Sequence, residues 1–415
     1  MSSNFAEFDF KSQNGLEVDI MPPGEWMLAN LGIDLAAPEF RELPPCKRAQ
    51  YRAVKNWLTR YKPKRDASNL EKVKGYLEAF HHLCQVEDWI RSTKIISTRL
   101  DTPTNKELHH QLLLWGYYRE LIELYNQLSG KLSINQDAIF IANLSNNLGN
   151  AYYGLGKYFQ AIDYYRQSLS IARVINDRET EGMALGNLGN AYNSLENYIK
   201  AIEYQEQSLS IARKIGDRNG EGCALGSLGD AYNSLGNYTK AIEYLEESFA
   251  IAREINDRNG EANALGNLGK AYNLLADYPK AIDYFLKSLT IFQEIADRNG
   301  EGISLGNLGL VCGLLKDYSQ AIEYLEKSLI ISRKIGARNS EGVALSDIGF
   351  AYYCLGKYAE AINYHQQSLT IVREIGQRHA QERALLNLGK AFRALRKYDK
   401  AIEYNQQHLA LIQST

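Results

Sequence analysis

The stretch LGNLGNAYNSLENYIKAIEYQEQSLSIARKIGD, residues 185–217, reads as two helices joined by a turn. Leu185, Leu188, Gly189 and Tyr192 fall at i, i+3, i+4 and i+7, one stripe of a helix with about 3.6 residues per turn. Leu195, Glu196 and Asn197 break that stripe, and a second one follows through Ala201, Tyr204, Ser208, Leu209, Ala212 and Ile215. Gly216 suits the end of the second helix and Asp217 the cap of the next. The pattern recurs without insertion from residue 141 onward. Gly149, Gly189, Gly229, Gly269, Gly309, Gly349 and Gly389 are each 40 residues apart, and so are Ala161, Ala201, Ala241, Ala281, Ala321, Ala361 and Ala401. Chance does not produce such a register. Small residues at both places let two antiparallel helices approach closely. One hairpin cannot bury both its faces, so neighbouring hairpins must stack into a continuous core.

The motif L-G-N-L-G-N-A-Y followed by Y-x-x-A-I-x-Y resembles the tetratricopeptide repeat. That repeat usually spans about 34 residues and closes its second helix with proline. Here Arg213 stands at that place, so the second helix can run on. The longer unit I-A-R-K-I-G-D-R-N-G-E-G resembles the extended repeats of Pins-type polarity scaffolds, of kinesin light chains and of cyanobacterial signalling proteins. The resemblance implies an all-α chain, a right-handed α-solenoid of stacked antiparallel helix pairs. It also implies that the first helix of each pair lines a concave surface.

Residues 141–415 then hold seven tandem 40-residue units, the last truncated. Gly116, Leu121, Ile122 and Tyr125 sit 40 residues before Gly156, Ala161, Ile162 and Tyr165, so residues 66–140 read as divergent capping hairpins. Residues 1–65 read as an irregular segment ending in a basic amphipathic helix, with Pro22, Pro23 and Pro38 interrupting any helical period. Lys47, Arg48, Arg52, Lys55, Arg60, Lys62, Lys64 and Arg65 lie beside an apolar stripe of Tyr51, Val54, Trp57, Leu58 and Tyr61. That helix either docks its apolar face on the array or offers its charge to nucleic acid, an anionic membrane or an acidic protein surface.

Positions one turn off the packing stripe face the groove. One row reads Asn147, Asn187, Ser227, Asn267, Asn307, Asp347 and Asn387; a second reads Asn150, Asn190, Asp230, Lys270, Leu310, Phe350 and Lys390. Asn193, Asn233 and Tyr353 lie one turn further along. A carboxamide offers a donor and an acceptor together, so a ladder of them can clamp the main chain of an extended peptide. Leu310 and Phe350 make the later part of the groove apolar, and Cys312 replaces the tyrosine found at 192, 232 and 272. Pins-type repeats place arginine after the linker glutamate to grip acidic peptides. Gly182, Gly222, Gly302, Gly342 and Ala262 stand there instead, so no acidic ligand is implied. The recurring linker arginines, from Arg178 to Arg378, are expected to pair with Glu181 and its equivalents between neighbouring repeats.

Chemistry is not written into the chain. There is no phosphate-cradling glycine loop. His81-His82 and His109-His110 are adjacent pairs that diverge on a helix, so neither is expected to bind metal, and no cofactor or small-molecule substrate is implied. A net charge of −2 gives no global attraction to nucleic acid or membrane. No apolar run is long enough to span a bilayer, and the start lacks a secretory leader. Five cysteines without C-x-x-C spacing fit reduced thiols in the cytoplasm. The leading expectation is a non-catalytic adaptor or scaffold holding a peptide or protein segment. A regulatory sensor arm of an ATPase- or protease-linked signalling system is the second, and a self-associating structural module the third. Oligomeric state stays open.

Overall fold

The computed structural model describes residues 20–64, 66–102, 105–131 and 134–413, and the side chains of 134–137 are left aside. The irregular start expected over residues 1–19, and Arg65 of the basic stretch, lie outside the described residues. The chain divides into two compact units, residues 1–175 and 176–415.

The first unit contains α1 (Gly24–Leu31), α2 (Pro38–Arg41), α3 (Pro45–Arg60), α4 (Asn69–Gln85), α5 (Trp89–Ile96), α6 (Leu108–Leu114), α7 (Tyr118–Leu128), α8 (Ile134–Gly154) and α9 (Tyr158–Val174). Residues 24–41 are thus largely helical, where an irregular segment is expected from the lack of a period. The prolines explain the difference. Pro23 is the N-cap of α1, Pro38 opens α2 and Pro45 opens α3, places where a missing N–H costs nothing. Met27, Leu28, Leu31 and Phe40 are buried. A Cβ at Gly24 would overlap the carbonyl oxygen of Leu58, so α1 crosses α3 where only glycine fits. The apolar stripe of α3 (Tyr51, Val54, Leu58) is buried, and Tyr51 donates to Asp88 Oδ2 at 2.7 Å, while Lys47, Arg52, Lys55 and Arg60 are exposed. Helix α4 opens on a reciprocal cap between Ser68 and Glu71.

The second unit is made of hairpins, each with a leading and a trailing helix. These are α10 (Arg178–Ser194) with α11 (Tyr198–Ile215), α12 (Arg218–Leu235) with α13 (Tyr238–Glu254) and α14 (Arg258–Leu274) with α15 (Tyr278–Glu294). They continue as α16 (Arg298–Leu314) with α17 (Tyr318–Ile335), α18 (Arg338–Cys354) with α19 (Tyr358–Glu374) and α20 (Arg378–Ala394) with α21 (Tyr398–Gln413). Asp177, Asp217, Asp257 and Asp297 cap the leading helices through their carboxylates. Gly216 and Gly236 adopt the left-handed conformation that ends a helix, at φ 72° and 84°.

Three ties repeat through this unit. Aromatic rings stack across the turns of five of the six hairpins, as in Tyr192 on Tyr204 with centroids 5.4 Å apart and planes at 6°, the α16–α17 hairpin having Cys312 in place of the ring. The hydroxyls of Ser208, Ser248, Ser288, Ser328 and Ser368 donate to the carbonyls of Gly182, Gly222, Ala262, Gly302 and Gly342 at 2.7–2.9 Å. A small residue there lets the trailing helix come close enough for that bond. Arginine ties the ends. Arg218 pairs with Glu221 and also reaches Glu254, and Arg338 pairs with Glu341 and reaches Glu374. The linker arginines therefore close their own hairpins. The tie between neighbouring repeats comes instead from Arg213 to Glu221 at 2.7 Å and Arg333 to Glu341 at 2.9 Å. The close approach at Gly189 is likewise to Gln205 rather than to Ala201.

Candidate functional site

The groove positions are set by a layer beneath them. Every trailing helix but the last buries one side chain against the glycine of its leading helix: Gln205, Leu245, Phe285, Leu325 and His365 in the second unit, and Tyr165 in the first, while Asn405 of α21 is exposed. The groove residue above stands 15 positions earlier in the chain. Where the buried residue is polar it holds that neighbour. Gln205 Nε2 donates to Asn190 Oδ1 at 2.9 Å and to the carbonyl of Gly186 at 2.8 Å. In the first unit Tyr165 donates to Asn150 Oδ1 at 2.8 Å. The carboxamide oxygens of Asn150 and Asn190 are thus committed, and each offers its NH2 group as an oriented donor rather than a donor–acceptor pair. Nothing in the sequence pattern distinguishes these two asparagines from the rest until the buried residue is read with them.

Between α12 and α14 the groove deepens into a cavity of about 450 Å³. It gathers the expected residues Asn190, Asp230, Asn267 and Lys270, together with Ser227 and Asn263, over a floor of Gly222 and Gly226. Asn263 escapes a reading that follows asparagine rows, although it repeats the register of Met183 and Cys223. Asn193 Nδ2 donates to Asp230 Oδ2 at 3.0 Å, linking adjacent leading helices. Asn233 is 6% exposed and reaches the carbonyl of Asn267 at 3.5 Å. The Oδ1 atoms of Asn193, Asn233 and Asn273 are buried with no donor among the described residues. Asn193 and Asn233 join the helices beneath the groove. Asn147, in the first unit, is buried and hydrogen-bonds Tyr125. Asn187, Asn307 and Asn387 are partly exposed on their leading helices, and Lys390 is exposed.

The later helices present a different face. Ile303, Leu310, Leu314, Val343, Phe350 and Leu386 are all at least a third exposed, and Tyr353 packs on Tyr358 at 5.4 Å. Cys312 is buried, covered by its neighbours rather than open to the groove. Burial pushes the Asp347 carboxyl up to about 6, with Arg383 opposing the shift. Burial also drives His365, whose Nδ1 has no partner among the described residues, down to about 4, and Arg383 adds to that.

In the first unit His109 and His110 lie closer than their adjacency on a helix predicts, with ring centroids 4.1 Å apart. Glu107 draws them together, 2.7 Å from His109 Nε2 and 3.7 Å from His110 Nδ1, so the three side chains could hold a cation. His109 Nδ1 lies 2.5 Å from the Tyr125 hydroxyl, so both its ring nitrogens are engaged within the fold. Among the described residues no helix is long and apolar enough to cross a membrane.

A tetratricopeptide repeat family model matches residues 140–214, 180–254, 220–294, 260–334 and 340–414. Among solved structures the chain is similar to a Rap protein complexed with Competence and Sporulation Factor, at a TM-score of 0.56 and 15% identity, covering 83% of this chain and 98% of that one. It is similar to the apo quorum sensor NprR from B. thuringiensis, at 0.53 and 16%, covering 83% and 100%. It is also similar to PH0952 from Pyrococcus horikoshii, a signal transduction ATPase with numerous domains bearing a tetratricopeptide repeat sensor, at 0.53 and 18%, covering 84% and 54%. At these identities the likeness is one of fold. No curated protein matches the sequence.

Proposed function

The chain belongs to the tetratricopeptide repeat family, and from that premise we propose that it is a non-catalytic adaptor whose second unit holds an extended peptide or protein segment along its leading helices. The observation that carries the reading is the tethered carboxamide of Asn190 at the wall of the α12–α14 cavity. A side chain fixed by a buried neighbour gives a ligand carbonyl a donor whose ordering cost is already met by the fold. Asn267 and Lys270 supply further polar contacts within the same cavity, and Asn187, Asn307, Asn387 and Lys390 extend the row along the unit. Leu310, Phe350 and Tyr353 take the apolar side chains of the same segment, so main-chain capture and side-chain selection divide along the groove. Asn193 and Asn233 act one layer below, by holding adjacent helices in register, and Asp230 in the cavity lining accepts from Asn193 across that joint. Asn150 offers its amide on the first unit, and Asn147 supports that unit from its interior.

The Rap protein solved with its bound factor and the quorum sensor NprR support a signal-binding use of this fold. The sensor of PH0952 supports a second reading, in which the array is the sensing arm of a signalling ATPase system. Free thiols fit a reducing, cytoplasmic setting for either. The test is a pull-down from cell extract with wild type and Asn187→Ala/Asn190→Ala/Asn267→Ala/Asn307→Ala, with captured proteins identified by mass spectrometry. Circular dichroism checks that the variant is folded. Loss of a specific protein from the folded variant alone supports the groove, and its identity separates adaptor from sensor arm. Equal recovery by both would sink the groove reading.

A further inference from the structure

Trailing helices of the second unit are strapped together by arginine at three junctions, and at one junction the arginine is present but makes no strap. Between α11 and α13, Arg213 donates from Nε to Glu221 Oε1 at 2.7 Å, and its Nη2 reaches Glu247 Oε2 at 3.4 Å. Between α17 and α19, Arg333 bonds Glu341 Oε1 at 2.9 Å and Gln367 at 3.1 Å. Between α19 and α21, Arg373 bonds Gln407 at 2.8 Å. The corresponding residues between α13 and α15 are Arg253, Glu261 and Lys287, so the anchor that should accept from the arginine is itself a cation. Arg253 bonds neither residue. Its guanidinium carbon stands 5.8 Å from the ring centroid of Phe249, which replaces the leucine found at 209, 289, 329 and 369. Lys287 turns to Asp283 at 2.7 Å. Next along, Gln293 stands in the arginine's place, opposite Lys327. Having no charge to be repelled, it keeps its bond to Glu301 Oε1 at 3.2 Å.

The unstrapped groove is a cavity of about 620 Å³, walled by Phe249, Leu265, Tyr284 and Ile291, with Glu246, Glu261 and Lys287 among its lining. Glu261 is 14% exposed, and its Oε2 accepts from Arg258 at 2.6 Å. Its Oε1, the atom that takes the strap in the sister grooves, accepts no hydrogen bond from the described residues.

We propose that this cleft binds an arginine side chain of a partner protein, its guanidinium on Glu261 and its stem between Phe249 and Tyr284. Three sister grooves define the occupant. In them a planar N–H donor on an aliphatic stem, Arg213, Gln293 or Arg333, lies against the equivalent glutamate, and here the cleft has the acceptor without the donor. Of the charged lining residues, Lys287 is paired with Asp283 and Glu261 gives only one oxygen to Arg258, so Glu246 and the second oxygen of Glu261 favour a cationic donor over a neutral one. This site is walled by α13, α14 and α15, and its lining shares no residue with the α12–α14 cavity of the leading helices.

Phenethylguanidine is the probe and phenethylurea its neutral counterpart, titrated calorimetrically into the full chain. The guanidine binds, and the urea binds about tenfold more weakly or worse, the scale of one charge-assisted hydrogen bond. Lys287→Gln restores the anchor that Gln367 and Gln407 provide, so Arg253 crosses, the cleft closes and guanidine binding falls about tenfold or more. Arg253→Ala/Lys287→Gln reopens the cleft and recovers binding. Equal binding of guanidine and urea overturns the assignment. So does unchanged or tighter binding by Lys287→Gln, since losing a nearby cation without closure can only help a cationic probe. Continued loss in the double variant overturns it as well.

Discussion

The leading helices of the second unit carry two kinds of surface, and the difference lies one layer down. Over α10, Asn190 is tied to buried Gln205 and presents an oriented amide. Over α16, Leu310 stands above Leu325, and over α18, Phe350 stands above His365, so nothing beneath either of them forms a polar anchor. A polar residue under the groove ties the rung above it; over apolar Leu245 and Phe285 the polar Asp230 and Lys270 get no tie from below, and over Leu325 the surface residue is apolar as well. His365 is the exception that tests the rule. It is polar, 1% exposed and lacks a partner at Nδ1 among the described residues.

The largest expected effect follows from that exception. His365 is held near 4, against about 6.5 for a histidine in the unfolded chain. The folded state therefore binds fewer protons than the unfolded state in that window. Its stability contribution is present above pH 6.5 and is lost as pH falls through 4, by roughly 3 kcal/mol. Asp347 has the opposite sign. Its carboxyl is raised to about 6, so its contribution is present at low pH and is lost as pH rises through that value. The two slopes oppose each other in wild type. His365→Phe, which copies Phe285 at the same register, removes the histidine slope. Thermal midpoints at pH 7, 5.5 and 4 should then show the variant gaining on wild type as the pH falls. A constant difference across that range would mean His365 is not held neutral by the fold.

Next in size is the packing that separates the halves. An alanine methyl at Gly309 would stand 2.6 Å from Leu325 and 3.1 Å from the carbonyl oxygen of Ala321, so backbone must shift. At Gly189 the same methyl meets only the Gln205 side chain, which can swing aside. Gly309→Ala should cost about 2 kcal/mol and Gly189→Ala about 1, each already offset in part by alanine's better helix propensity. Urea-unfolding midpoints compare them directly. If Gly189→Ala is the more damaging, the amide half is not the more adaptable one.

These contrasts also mark how far the sequence could be read. The hairpins were legible because Gly189, Ala201 and their equivalents repeat in strict register, and because Asp217 and Gly236 punctuate the helices as their chemistry demands. The groove rows follow from that register. What escapes it depends on pairs of residues on different helices. Asn190 is an oriented rung only because residue 205 is glutamine, and the α13–α15 cleft exists because one anchor is lysine rather than glutamate. Helices α1 and α2 escape because they are too short to show a period. The His109–His110 approach depends on Glu107, which reaches both rings.

The smallest effect is the most direct test of the layered rule. Gln205→Leu puts at α11 the residue that α13 and α17 carry at 245 and 325, so the core accepts it and stability changes by less than about 1 kcal/mol. Asn190 then loses the donor that holds its oxygen. The side-chain amide of Asn190 should pass from a sharp pair of proton resonances at distinctive shifts to a pair averaged over rotamers near free-amide values, and the affinity of any segment recovered by the pull-down should fall several-fold because ordering that amide now costs entropy. The converse substitution, Leu245→Gln, sets a donor beneath Asp230, whose Oδ2 already accepts from Asn193, and should draw on the remaining carboxylate oxygen without disturbing that bond. An Asn190 amide equally sharp in wild type and Gln205→Leu would place its order in the helix surface itself, and the buried residue would then be filling space only.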